Sequence, residues 1–87
     1  MALTFPNLSR SYDASRRRIR FWGHDNAMEV SFFLDEGAVF RLDPKTKNAE
    51  DAMLATFDAS RERIHEVAGK VYSFSQRSFY TLAATDF

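Results

Sequence analysis

Two stretches of strict alternation constrain this chain more than anything else in it. From Ser15 to Trp22, the side chains of Arg16, Arg18, Arg20 and Trp22 point one way, and those of Arg17, Ile19 and Phe21 the other. From Ala27 to Leu34, Met28, Val30, Phe32 and Leu34 share one face, and Glu29, Ser31 and Phe33 the opposite one. A period of two marks a strand with one buried face. Gly23-His24-Asp25-Asn26 has turn composition, so the two runs are expected to pair as a hairpin. Placing Trp22 opposite Ala27 sets Phe21 by Met28 and Ile19 by Val30 on the core side. The same register sets Arg20 opposite Glu29 outside, a cross-strand pair worth roughly 0.2–1 kcal/mol. A slip of one residue would turn the apolar set to water, so the register is specified.

A helix is the second constraint. Asn48 offers an N-cap, Glu50 and Asp51 fall in the first turn, and Met53, Phe57, Ser60, Ile64, Val67 and Val71 recur at spacings of four and three. Leu54, Ala68 and Tyr72 widen the stripe, and Phe57 and Ile64 are expected in the core. Ser60 reads as a small residue where helix and sheet approach closely. Glu66 and Lys70 form a correctly oriented i,i+4 pair, and Gly69 either ends the helix or weakens its last turn. The stripe lasts under three heptads, so packing on a sheet explains it better than a coiled coil.

Other segments are less constrained. Residues 1–13 read as an irregular lead-in with a short extended piece at Leu3–Phe5. Asp35–Leu42 reads in two ways. As a strand it makes a hairpin through Asp35-Glu36-Gly37, with Ala38, Phe40 and Leu42 inward; as a short helix it has Asp35 at the N-cap and Glu36 in the first turn. Eight residues do not separate the two by periodicity. Asp43–Lys47 is a loop. After Ser73–Gln76, Ser78–Leu82 reads as a last strand, with Tyr80 and Leu82 inward.

The chain has 87 residues, enough for one small α+β domain spanning 1–87. Lys plus Arg equals Asp plus Glu at 12 each, so any anion site must come from local clustering. There is no Cys, which excludes a thiolate zinc site, a Cys nucleophile and a disulfide scaffold. No basic segment leads into a long apolar run, and no stretch approaches the ~20 apolar residues that span a bilayer. A cytoplasmic protein with no membrane partner is expected.

Three segments together resemble a family of short bacterial proteins known as domain of unknown function 1488. They are Leu3-Thr4-Phe5-Pro6-Asn7 with Tyr12-Asp13, the strand pair running into Leu34-Asp35-Glu36-Gly37-Ala38-Val39, and Phe57 with Arg61, Arg63, Ile64 and Ala68. Gly37 departs from the helix former expected at its position. The resemblance implies that Asp35–Leu42 is a short helix. The expected fold is then a small antiparallel sheet in the order β-β-α-α-β, with the long helix on one face. It implies no activity and no catalytic residues.

Arg16, Arg18 and Arg20 beside Trp22, with Phe33 on the neighbouring strand, form the one conspicuous cluster. Basic groups and rings on a sheet face suit a protein contact, or a single nucleic-acid strand held through phosphates and stacked bases. The bland alternative is a solvated face whose Arg stems cover apolar surface. His24 in its turn and His65 on the helix margin lack partners at metal-ligand spacing. Glu62 and Glu66 read as a charged helix face. No combination supplies a nucleophile, a base and oxyanion donors. The sequence therefore favours a non-enzymatic interaction module with no cofactor or metal, associating with itself or with another protein through Arg16, Arg18, Arg20, Trp22 and Phe33. A weak nucleic-acid binder using strand 16–22 is the alternative. An N-terminal segment folded back through Phe5, Leu8 and Tyr12 would instead cover that face within one chain.

Overall fold

Alternation organises the sheet in the computed structural model, which describes residues 3–6, 9–74, 77 and 79–87. Strands β1 (Leu3–Thr4) and β2 (Arg10–Asp13) both pair antiparallel with β3 (Arg18–Asp25), which pairs antiparallel with β4 (Met28–Asp35). Helices α1 (Glu36–Leu42), α2 (Glu50–Ala59) and α3 (Arg61–Phe74) follow, then β5 (Phe79–Leu82) and a 3-10 turn at Ala84–Asp86. β5 lies parallel to β4, with Ser31 beside Phe79 and Leu34 beside Leu82. The sheet is therefore mixed, not wholly antiparallel as expected. Parallel neighbours need a crossover of a dozen residues or more, and the three helices supply it. The α+β class stands.

The hairpin register differs from the expected one by four residues. β3 runs through Gly23 and His24 to Asp25, and the chain turns at Asn26-Ala27. Asn26 has φ 57°, a conformation asparagine tolerates better than most residues. Trp22 lies opposite Ser31, Phe21 opposite Phe32 and Ile19 opposite Leu34. An even slip keeps Ile19, Phe21, Val30, Phe32 and Leu34 inward and Arg18, Arg20, Trp22 and Phe33 outward. Met28, expected on the core side, instead begins β4 at the end of the sheet and is 55% exposed, and Arg17, expected inward, lies in the exposed turn before β3. The slip also moves Arg20 from Glu29 to Phe33, so the expected ion pair is not made. Gly23 belongs in the strand for a packing reason: a Cβ there would lie 3.0 Å from Phe5 and Leu3 side-chain atoms and 3.2 Å from Phe32.

The inward face carries Ile19, Phe21, Val30, Phe32, Leu34, Tyr80 and Leu82, all buried. Against it pack Ala38 and Val39 of α1, Met53 and Phe57 of α2, and Ile64, Val67, Ala68 and Tyr72 of α3. Phe21 and Phe32 stack 5.3 Å apart, Phe57 meets Phe21 at 5.2 Å, and Tyr80 meets Phe32 at 5.5 Å. Phe5 closes the same layer, its ring 3.9 Å from His65 and parallel to it.

α1 is a helix, as the family resemblance implied. Asp35 sits at its N-cap with extended backbone but makes no side-chain cap bond. The long helix expected after Asn48 is two helices. α2 starts at Glu50 with Ala49 at the N-cap, and Ser60, with φ −108° and ψ 16°, separates α2 from α3. Ser60 thus marks a helix junction, and its amide donates to Thr56 and Phe57 carbonyls. α3 passes through Gly69 and Ser73 to Phe74. Ser75 and Gln76 lie outside the described residues, as does Ser78 at the expected start of the last strand. β2 has no counterpart in the expected lead-in.

Candidate interaction surface

The helices and Phe5 lie on one side of the sheet, so β3, β4 and β5 present their other side outward. Strand alternation puts Arg18, Arg20 and Trp22 there from β3, Ser31 and Phe33 from β4, and Phe79 and Thr81 from β5. β2 adds Ser11 opposite Arg20 and Asp13 opposite Arg18. Arg16, expected on the strand, lies before it. It occupies the turn Ala14–Arg17, which Arg17 closes with φ 51°. The turn nevertheless brings Arg16 to the same place. Arg16, Arg18, Arg20, Ser31, Phe33 and Phe79 line a shallow cleft of about 440 Å³.

Within it, the Arg18 guanidinium lies 3.7 Å from the centroid of the Phe33 ring. Its side chain is 20% exposed, and its Nε lies 3.5 Å from the Asp13 carboxylate, making an ion pair without a hydrogen bond. Arg20 sits 4.9 Å from the Trp22 ring and 5.9 Å from Phe33, and its Nη2 donates to Ser31 Oγ at 3.2 Å. Phe79 meets Phe33 edge-on at 6.0 Å and is itself 53% exposed. Each guanidinium on a ring gains cation–π attraction and keeps its N–H edge free to donate. Asp13 is held below the usual carboxylate range, first by the Ser15 hydroxyl, which donates to it at 2.7 Å, and also by Arg18.

All five residues expected to form the surface face outward. Trp22 and Phe33 are only partly exposed, and arginine guanidinium groups lie over their rings. Ser31 and Phe79 were not singled out in the sequence, although alternation with Tyr80 and Leu82 puts Phe79 outward. Phe5 and Tyr12 pack against the core on the helix side, so neither covers this face; Leu8 lies outside the described residues.

The remaining titratable groups take other parts. His24 lies opposite Glu29 on the outer face. His65 is half-buried against Phe5, and burial, then the nearby Arg61 charge, hold its pKa below the ordinary value. Glu66 accepts from Arg63 at 3.3 Å and lies 4.0 Å from Lys70. Tyr72 donates to Asp25 at 2.6 Å, a bond that pushes its phenol up to about 12. Asp58 accepts two bonds from Arg10, at 3.0 and 2.9 Å, and one from Arg61 at 2.6 Å. It borders a second cleft, of about 840 Å³, where Arg41, Arg61 and Arg63 stand beside Asp58 and Glu62. Opposite charges alternate there, so that cleft has no strong sign of its own. Among the described residues no three His, Asp or Glu side chains come together as metal ligands would.

The arrangement defines a two-layer α+β protein whose mixed sheet is covered by helices on one side and carries a cationic, ring-lined cleft on the other. The chain belongs to the family described as protein of unknown function (DUF1488), which matches residues 3–83. A crystal structure of a DUF1488 family protein of unknown function from Shewanella loihica PV-4 is similar in fold. It has a TM-score of 0.80 and 17% identity, over 92% of this chain and 90% of that one. None of the curated proteins matches the chain. No described helix is long and apolar enough to cross a membrane.

Proposed function

We propose that the protein is a non-enzymatic interaction module of the cytoplasm and that the outer sheet face is its contact surface. The observation that carries this is the bare side of the sheet, where Trp22, Phe33 and Phe79 stand among arginines. Rings and Arg with a polar surround are the usual composition of a protein contact. The cleft offers guanidinium groups, one hydroxyl and rings; a general base is not among its lining groups, which favours contact over catalysis. A second copy of the chain is the first partner to test.

Light scattering on the intact protein and on the Trp22→Ser, Phe33→Ser double variant tests the reading. The expected result is a dimer that becomes a folded monomer. A wild-type monomer at all accessible concentrations, with Trp22 shielded from iodide, would remove self-association. Arg16, Arg18 and Arg20 gathered in one cleft also favour a second reading, weak binding of single-stranded nucleic acid through its phosphates. That binding should fall steeply with salt and on Arg18→Glu.

A further inference from the structure

Resting on the reading of the outer face as a contact surface, we infer that the cleft lined by Arg16, Arg18, Arg20, Ser31, Phe33 and Phe79 takes a short acidic peptide segment of a protein partner. Charge complementarity carries the assignment. Three arginines line the cleft and no carboxylate does. Arg18 has Asp13 at 3.5 Å, but Arg20 meets only Ser31 and the rings, and Arg16 has no ion pair among the described residues. The cleft therefore keeps a net positive charge while the whole chain has none.

The bounds of the patch set the size of its anion. Asp13 and Asp35 flank Arg18 on the two neighbouring strands, and Glu29 stands opposite His24, two outward pairs beyond Arg20. A polyanion running along β3 would meet these carboxylates at both ends. One or two carboxylates would meet only arginine. Geometry agrees: Arg18 and Arg20 are two residues apart on one strand, hence about 7 Å, and an extended peptide repeats its same-face side chains at that interval. The ring faces point the same way. Arg18 covers Phe33 and Arg20 lies by Trp22, so the faces that would stack bases are taken. Phe79 remains open to an apolar side chain beside the acids.

The test uses a fluorescein-labelled peptide, Ser-Glu-Ser-Glu-Ser-Phe-Ser, its counterpart with Lys for both Glu, and a labelled oligothymidylate of twelve nucleotides, read by anisotropy against the intact protein. The acidic peptide should bind, weaken with salt, and lose about tenfold or more in affinity on R16E with R20E. The lysine peptide should bind that double variant in preference to the wild type. Circular dichroism confirms that the variant is folded. Equal binding of both peptides, or no saturable binding of the acidic one, overturns the inference. Tighter binding of the oligothymidylate overturns it in favour of nucleic acid. A dimer that scatters as expected yet ignores the peptide leaves the contact surface standing and removes only the acidic segment.

Discussion

Phe57 has no exposed surface and touches both the Phe21 ring and the Arg61 guanidinium. Phe57→Ala should cost roughly 3–5 kcal/mol, a large share of the stability of a domain this size; a chemical denaturation curve measures it. Its spacing from Met53 and Ile64 made this position readable from the sequence, because a helix facing a sheet must place its apolar residues at that period. His65 was not readable in the same way. Its stacking on Phe5 depends on where β1 lies, and burial there favours the neutral imidazole. With the folded pKa below the unfolded value of about 6.5, its share of stability is complete above that pH. It is lost as pH falls from there toward the folded value. The melting temperature should therefore drop from pH 7.5 to pH 5, and His65→Phe should flatten that part of the profile. An unchanged slope in the variant would remove His65 as its source.

At the level of elements, the helices carry local choices that the packing overrules. Ala49 is the N-cap of α2 and makes no cap bond, with Asn48 one position too early to serve. Ala49→Ser should supply the missing acceptor and raise stability by about 1 kcal/mol. Gly69 lies inside α3, and a Cβ there would meet no atom within 4 Å. Gly69→Ala should stabilise by about 0.5–1 kcal/mol. Thermal melts of the two variants check both, and a loss at Gly69 would point to crowding of that helix face. The junction at Ser60 was hidden because the apolar stripe passes through it without losing its period. Met53, Phe57, Ile64 and Val67 are all buried on either side of the break. The hairpin slip was hidden for a related reason: registers four residues apart turn Ile19, Phe21, Val30, Phe32 and Leu34 to the same face, and only the turn, which leaves Met28 exposed at the strand end, and the approach of Phe5 over Gly23 choose between them.

For the molecule as a whole, β5 is the piece that completes the core from a distance. Tyr80 and Leu82 are buried, and the strand lies beside β4 only after three helices have crossed the sheet. A chain ending before Phe79 leaves Phe32 and Leu34 with an open flank. It should lose its cooperative thermal transition and near-ultraviolet dichroism, while Phe79→Ser, on the outer face, should keep both. A cooperative melt in the truncated chain would show that the first four strands and the helices suffice.

The alternation of β3, β4 and β5 and the spacing along the helices determined, from the sequence alone, the class α+β and which side chains are inside, except at the ends of the hairpin, where Arg17 and Met28 are exposed. Those are properties of one element at a time, set by periods of 2 and 3.6 that any local reading detects. The register of the hairpin, the parallel setting of β5, the pairing of β2 and the gathering of Arg16 with Phe79 were decided by tertiary structure. Each depends on two segments far apart in the chain meeting at one place, and the period of neither segment encodes where the other arrives.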